Sequence, residues 1–241
     1  MFQDLDQDSI PDDPLHRLCV RLARAAYANP PDVSAGGSEA IIRPGTEPGQ
    51  VVIAVRGTML NGWRLLTNDV ILDAAAYPFR TERGWIVHSA FWRGAVPWRG
   101  GARGLAPWIA AHKDVLGARS VITTGHSKGV ESLQLAALLK GWGFPVRECV
   151  LFGAPRAAMG DRFFDDLQHI SVTNYEMTGD PVTCVPTILP WRHPFEWERA
   201  AEHTIAPKRR VLIQGPTPLT PSEAARRHRI AGYDDALHGR V

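Results

Sequence analysis

Residues 119–140 read RSVITTGHSKGVESLQLAALLK, and this segment constrains the chain more than any other. The apolar run before Gly125 has no polar alternation, so it reads as a strand buried on both faces. The residues after Ser127 place Leu133, Leu135, Leu138 and Leu139 at apolar positions of a helix that ends near Gly141. A buried strand that passes straight into a helix through Gly125-His126-Ser127-Lys128-Gly129 has the form of a nucleophile elbow. Ser127 then sits on a sharp, strained turn, and the flanking glycines leave room for the chains that crowd it. A serine that merely capped the helix would not need glycine on both sides. The turn lifts the hydroxyl above the carboxyl ends of the strands, where open α/β sheets bind ligands. The helix start adds N–H groups and a positive dipole end suited to a developing oxyanion.

The remaining chain supplies the sheet and its cover. LHRLCVRLARAAYA, from Pro14 to about Ala28, has helical apolar spacing and a start signal in Asp13-Pro14. NPPDVSAGGSE reads as a loop. Val51–Val55, RECVLFGAP and HISVTNYEMTGD read as further strands, and HTIAPKRRVLIQG holds another candidate. WIVHSAFW is a short strand leading to a helix through Trp108 and Ala111, and GDRFFDDLQ is a short helix. SEAARRHRIAGYDDALHG reads as one final helix, with Ser222 as its cap. Strands alternating with helices predict an α/β fold, a mostly parallel central sheet covered by helices on both faces. No composition shift or repeat marks a boundary, so residues 1–241 are expected to form a single domain with a loose acidic stretch at 1–13.

A serine hydroxyl needs a base, and the base needs a carboxylate to hold its tautomer. On an elbow fold the chain order is Ser, then Asp or Glu, then His. Asp180, in Gly179-Asp180-Pro181 after a strand, is the best placed acid, although an aspartate there also suits a structural Asx turn. Asp161, Asp165 and Asp166 lie in a short surface helix, and Glu176 lies within the strand. For the base, His193, His203 and His228 all follow Asp180, while His238 lies too near the chain end. His126, beside the serine, and His193, in a proline-rich loop, are also candidates for lining a substrate site.

Six segments, taken in order, resemble the class 3 lipase family, the fungal-lipase-like branch of the α/β-hydrolases. They are VVIAVRGT, VHSAFWRGA, ITTGHSKG, VLFGAPRAAMGDRFF, GDPVTCVP and HRIAGYDDAL. The resemblance implies the α/β-hydrolase fold and a serine carboxylic ester hydrolase working through an acyl-enzyme. It implies Ser127 as nucleophile, Asp180 as acid and His228 as base, with backbone N–H groups of Thr58 and Lys128 as the oxyanion hole. It implies a lipid or small ester substrate and transient contact with a lipid interface. In the family a lid follows the oxyanion strand; here Met59, Leu60, Trp63, Leu65 and Leu66 would either cover the pocket or belong to a fixed core. Trp92, Trp98 and Trp108 are weaker pocket candidates.

Three positions depart from the family pattern: Lys128 for leucine, Ala90 for glycine and Asp161 for asparagine. The Lys128 ammonium would either attract an anionic headgroup at the site mouth, or else pair with a nearby acid such as Glu131 or simply reach water. A phospholipase, a thioesterase or an amidase would use the same trio, and a non-catalytic binding protein could share the fold.

Other classes find little support. A net charge of +2 is too small to argue for nucleic acid. The three cysteines, Cys19, Cys149 and Cys184, show neither metal-ligand spacing nor a disulfide framework, and the expected chemistry needs no metal or organic cofactor. No stretch is long and apolar enough for a membrane span. The acidic start lacks a signal-peptide pattern, so a cytoplasmic product is the default expectation, with signal-independent export left open.

Overall fold

The computed structural model describes residues 4–5, 12–57, 77–95, 104–113, 117–185, 191–192, 208–215 and 220–239. The central strand is β7 (Ser120–His126), which is buried at every position. It lies between β4 (Gln50–Val55) and β8 (Val146–Phe152), parallel to both. Beyond β8 the sheet continues in parallel through β10 (Ser171–Met177) and β12 (Lys208–Ile213). The elbow strand thus occupies the middle of the sheet, which matches its unbroken apolar reading.

Period-two alternation divides the core. Val52 and Ile122 face one side, packed with Cys19, Val20 and Ala23 of α1 (Pro14–Ala28). Ile53, Val55 and Val121 face the other, under Leu133, Leu135 and Leu139 of α4 (Glu131–Gly141). That second face is also covered by α2 (Ser89–Ala95), α3 (Leu105–Ala111) and α5 (Asp161–Asp165). The Asp13 carboxylate caps α1 by accepting from the Leu15 N–H at 2.8 Å, with Pro14 at the first turn.

Several elements differ from expectation. NPPDVSAGGSE is not a plain loop: β2 (Val33–Ala35) and β3 (Ser38–Pro44) form a hairpin antiparallel to β4. Gly36 and Gly37 make its two-residue turn at φ 65° and 83°, so the glycine pair marks a hairpin. Within the 1–13 stretch, β1 (Asp4–Leu5) pairs in parallel with Arg210 and Val211. A small antiparallel sheet, of which the sequence indicated only the strand in WIVHSAFW, joins β5 (Pro78–Arg80), β6 (Ile86–His88), β9 (Ala158–Met159) and β11 (Trp191–Arg192). Its two- and three-residue strands are too short for a period to register.

The expected final helix is two helices, α6 (Pro221–Arg227) and α7 (Ile230–Leu237). Thr220, not Ser222, caps the first. Its hydroxyl and Glu223 form a reciprocal capping box around Pro221. The break leaves His228 at the joint between the helices, outside either helical run. Among the described residues, no helix is long and apolar enough to cross a membrane.

Candidate active site

The carboxyl ends of β4, β7, β8 and β10 all open on one edge of the sheet, and the residues after them converge there. Ser127 follows β7 directly, at the start of a 3-10 turn (Ser127–Val130) that leads into α4. Its φ is 58°, and among the described residues it alone departs from negative φ without being glycine. A non-glycine residue held there is strained, which the surroundings must enforce. The glycines on either side are sterically required. A Cβ on Gly125 would overlap the carbonyl group of Gly129, and one on Gly129 would lie 2.8 Å from the Val55 carbonyl oxygen. Ser127 is half-buried, so its hydroxyl lies at the protein surface's edge rather than inside the core.

Asp180 follows β10 by way of Gly179, which turns the chain at φ 80°. Its carboxylate makes both contacts that the sequence posed as alternatives. Oδ1 accepts from the Val182 N–H at 2.9 Å, an Asx turn, and both oxygens accept from His228 Nδ1, at 3.0 and 2.9 Å. The Tyr233 hydroxyl donates to Oδ2 at 2.6 Å and itself accepts from the Met177 N–H at 3.1 Å. Asp180 and His228 are 2% and 3% exposed. Burial alone would push the Asp180 carboxyl up. The His228 charge and the donated hydrogen bonds of His228, Tyr233 and Val182 outweigh it, and the group titrates below the ordinary carboxylate value.

Because Asp180 only accepts, His228 Nδ1 carries a hydrogen, and Nε2 is the ring nitrogen turned away from the acid. Nε2 is buried and has no hydrogen-bond partner among the described residues. Gly153, just past β8, is the floor of this pair. A Cβ there would come within 2.8 Å of Asp180 Oδ2 and of the Tyr233 hydroxyl, and 3.2 Å of His228 Nδ1. Its φ of 54° also favours glycine. The Phe-Gly-Ala-Pro segment therefore matters for the space that it leaves.

His126 is not placed to line a substrate site. It is 5% exposed, and both ring nitrogens are engaged by the protein: Nδ1 with the Tyr27 hydroxyl at 2.9 Å, Nε2 with the His228 carbonyl oxygen at 2.6 Å. The strand's alternation turns it inward while Ser127 turns out. Lys128 pairs with Glu131 at 2.9 Å, and the Glu131 carboxylate, 0% exposed, also accepts from Ser38. Of the two readings of the lysine, the ion pair is the one present. Gly94 makes room for this group, since a Cβ there would overlap Ser38 and Glu131.

Lys128→Leu removes the ammonium that meets the buried Glu131 carboxylate. Breaking a fully buried pair costs about 3–5 kcal/mol. Lys128 is 24% exposed and already partly hydrated, so about 1–3 kcal/mol is expected, read as a lower urea midpoint. The ratio of activity on anionic to neutral esters should not move. A ratio that falls with the charge would show that the ammonium meets substrate.

Trp92 packs edge-on against Trp85 in the core, and Trp108 stacks on His112 against the same core. These two are packing residues. Thr58, Met59, Leu60, Trp63, Leu65, Leu66, Trp98, His193 and His203 lie outside the described residues. Sequence reasoning missed Tyr27, Tyr233 as an acid contact, and Arg56. The Arg56 guanidinium donates to the carbonyls of Ala26 and Asn29 and pairs with Glu39, tying the end of α1 to the end of β4. No local pattern marks such contacts, which join residues far apart in sequence.

No protein-family model and no curated protein matches the sequence. Solved structures do match. Lip2 lipase from Yarrowia lipolytica aligns with a TM-score of 0.56 at 17% identity, over 80% of each chain. Nonglycosylated LIP2 lipase from the same organism gives 0.57 at 16%, again over 80% of each. A triacylglycerol lipase from Penicillium expansum gives 0.50 at 16%, over 79% of this chain and 78% of that one. At these identities the likeness is one of fold: the chain has the α/β-hydrolase fold of fungal lipases.

Proposed function

We propose that the chain is a serine carboxylic ester hydrolase of the lipase and esterase type. The observation that carries this reading is the imidazole of His228, anchored to a buried carboxylate through Nδ1, with Nε2 meeting no hydrogen-bond partner among the described residues. Its ring stacks at 4.6 Å on His126, the residue before Ser127, which is held at positive φ. A purely structural histidine would have both nitrogens satisfied, as His126 does.

In this reading Nε2 takes the Ser127 proton as Oγ attacks the ester carbonyl. Asp180 stabilises the imidazolium that forms. The tetrahedral oxyanion accepts from the N–H of Lys128, at the start of the 3-10 turn, and from that of Thr58. The imidazolium then protonates the departing alkoxide, leaving an acyl-Ser127. Water repeats the sequence in deacylation, with His228 again as base. The fungal lipases of like fold, one of them named a triacylglycerol lipase, support an acyl ester substrate.

The test is hydrolysis of p-nitrophenyl esters from short to long acyl chains, together with labelling by a fluorophosphonate. Turnover with a defined chain-length optimum, and a label mapped to Ser127, are expected. A chain that neither turns over esters nor takes the label would sink the reading in favour of a binding protein.

A further inference from the structure

Two histidines lie face to face in this site, and only one is used in the chemistry above. The rings of His126 and His228 stack with centroids 4.6 Å apart and planes 29° from parallel. The carbonyl of His228 sits at the joint between α6 and α7, where it has left the helical ladder, and a buried carbonyl there needs a donor. His126 Nε2 meets it at 2.6 Å. A carbonyl only accepts, so Nε2 must carry the hydrogen and Nδ1 must be the acceptor in a neutral ring. Tyr27 fits that demand. Its hydroxyl lies 2.9 Å from Nδ1 and 3.4 Å from the His126 carbonyl oxygen; the ring nitrogen is the nearer acceptor, so the hydroxyl hydrogen is directed to Nδ1. A Cβ on Gly57 would overlap that hydroxyl, which is why the residue after Arg56 is small.

We propose that His126 is a positioning residue for the base: it fixes the backbone of His228 through the carbonyl, with its own tautomer set by Tyr27. This inference rests on the reading of His228 as the base. The imidazole of His228 is then held at two points, its ring by Asp180 and its main chain by His126. The same chain of donors, Tyr27 to His126 to His228, joins the ends of α1 and β7 to the helical joint. A neutral ring is what this role requires. A cation stacked on His228 would oppose the imidazolium formed during turnover. Burial first, then the His228 charge, lowers the His126 pKa to about 3, so the ring is uncharged wherever the enzyme would work.

The test compares His126→Phe, which keeps an aromatic ring but has no donor, with His126→Gln, which restores one. Kinetics on a p-nitrophenyl ester are paired with the low-field proton resonance of the His228–Asp180 hydrogen bond. The Phe variant should lose about 100-fold in kcat, the size of effect that a small misplacement of a reacting group produces, with little change in KM. Its low-field resonance should broaden or shift. The Gln variant should recover most of both. A folded Phe variant with wild-type kcat and an unmoved resonance overturns the proposal. If that variant does not fold, Tyr27→Phe carries the test: it should lower kcat at constant KM, and an unchanged kcat overturns the proposal. If the wild type hydrolyses no ester, the function reading fails. The resonance still decides the positioning role, because it needs no turnover.

Discussion

Ser127→Ala lowers kcat on a p-nitrophenyl ester by about 10⁶-fold, the scale of loss when a serine–histidine pair loses its nucleophile. At 1.36 kcal/mol per decade this is about 8 kcal/mol of transition-state stabilisation. The methyl group of alanine cannot form the acyl-enzyme, so what persists is activation by the N–H donors alone, about 10³–10⁴ over water. The effect should not add to that of His228→Ala, since neither residue works without the other. A double variant much slower than either single one would count against the shared mechanism. Stability adds a second readout. The serine sits at φ 58°, where alanine is no better accommodated, so a large rise in melting temperature is not expected. Wild-type turnover in Ser127→Ala would place the nucleophile elsewhere.

Asp180→Asn should lower kcat by about 10⁴-fold while leaving the fold in place. Three donors converge on this carboxylate: His228 Nδ1, the Tyr233 hydroxyl and the Val182 N–H. Both oxygens receive a hydrogen bond from a group other than histidine. Wherever the amide NH₂ lies, it meets a donor. The amide also carries no charge to stabilise the imidazolium.

The same substitution changes the acid limb of stability. The folded carboxyl titrates below its ordinary value of 3.8, so its contribution is fully present above that value and is lost as pH falls through the lower, folded one. Urea midpoints of the wild type should therefore decline below about pH 4 more steeply than those of Asp180→Asn. Parallel declines would mean that the carboxylate is not held as the hydrogen bonds suggest.

Much of the arrangement was written in local pattern. The elbow was legible because a strand buried on both faces, two glycines and a helical apolar period fall within one segment, and each feature reflects sterics that neighbouring residues impose. Asp180 was legible as a turn residue after a strand. The same logic failed where signals were short. The Gly36-Gly37 hairpin was read as a loop, and the small antiparallel sheet has strands too brief to show alternation. The two-helix tail was read as one helix because His228 and Arg229 do not break the apolar spacing.

What the sequence by itself determined is the class of fold and the serine at its centre, because strand, turn and helix preferences act over a few residues. Which histidine meets Asp180 was not decidable from residue type, as three candidates followed it and only the resemblance separated them. Tertiary structure decided that choice, by breaking the final helix at His228 and bringing it across 48 residues to the carboxylate. It also turned His126 inward toward Tyr27, 99 residues away, and set Lys128 against a buried glutamate instead of the solvent. These outcomes depend on hydrogen bonds and burial between distant segments. A buried polar group must find a partner wherever the fold supplies one, and the chain does not announce that partner locally.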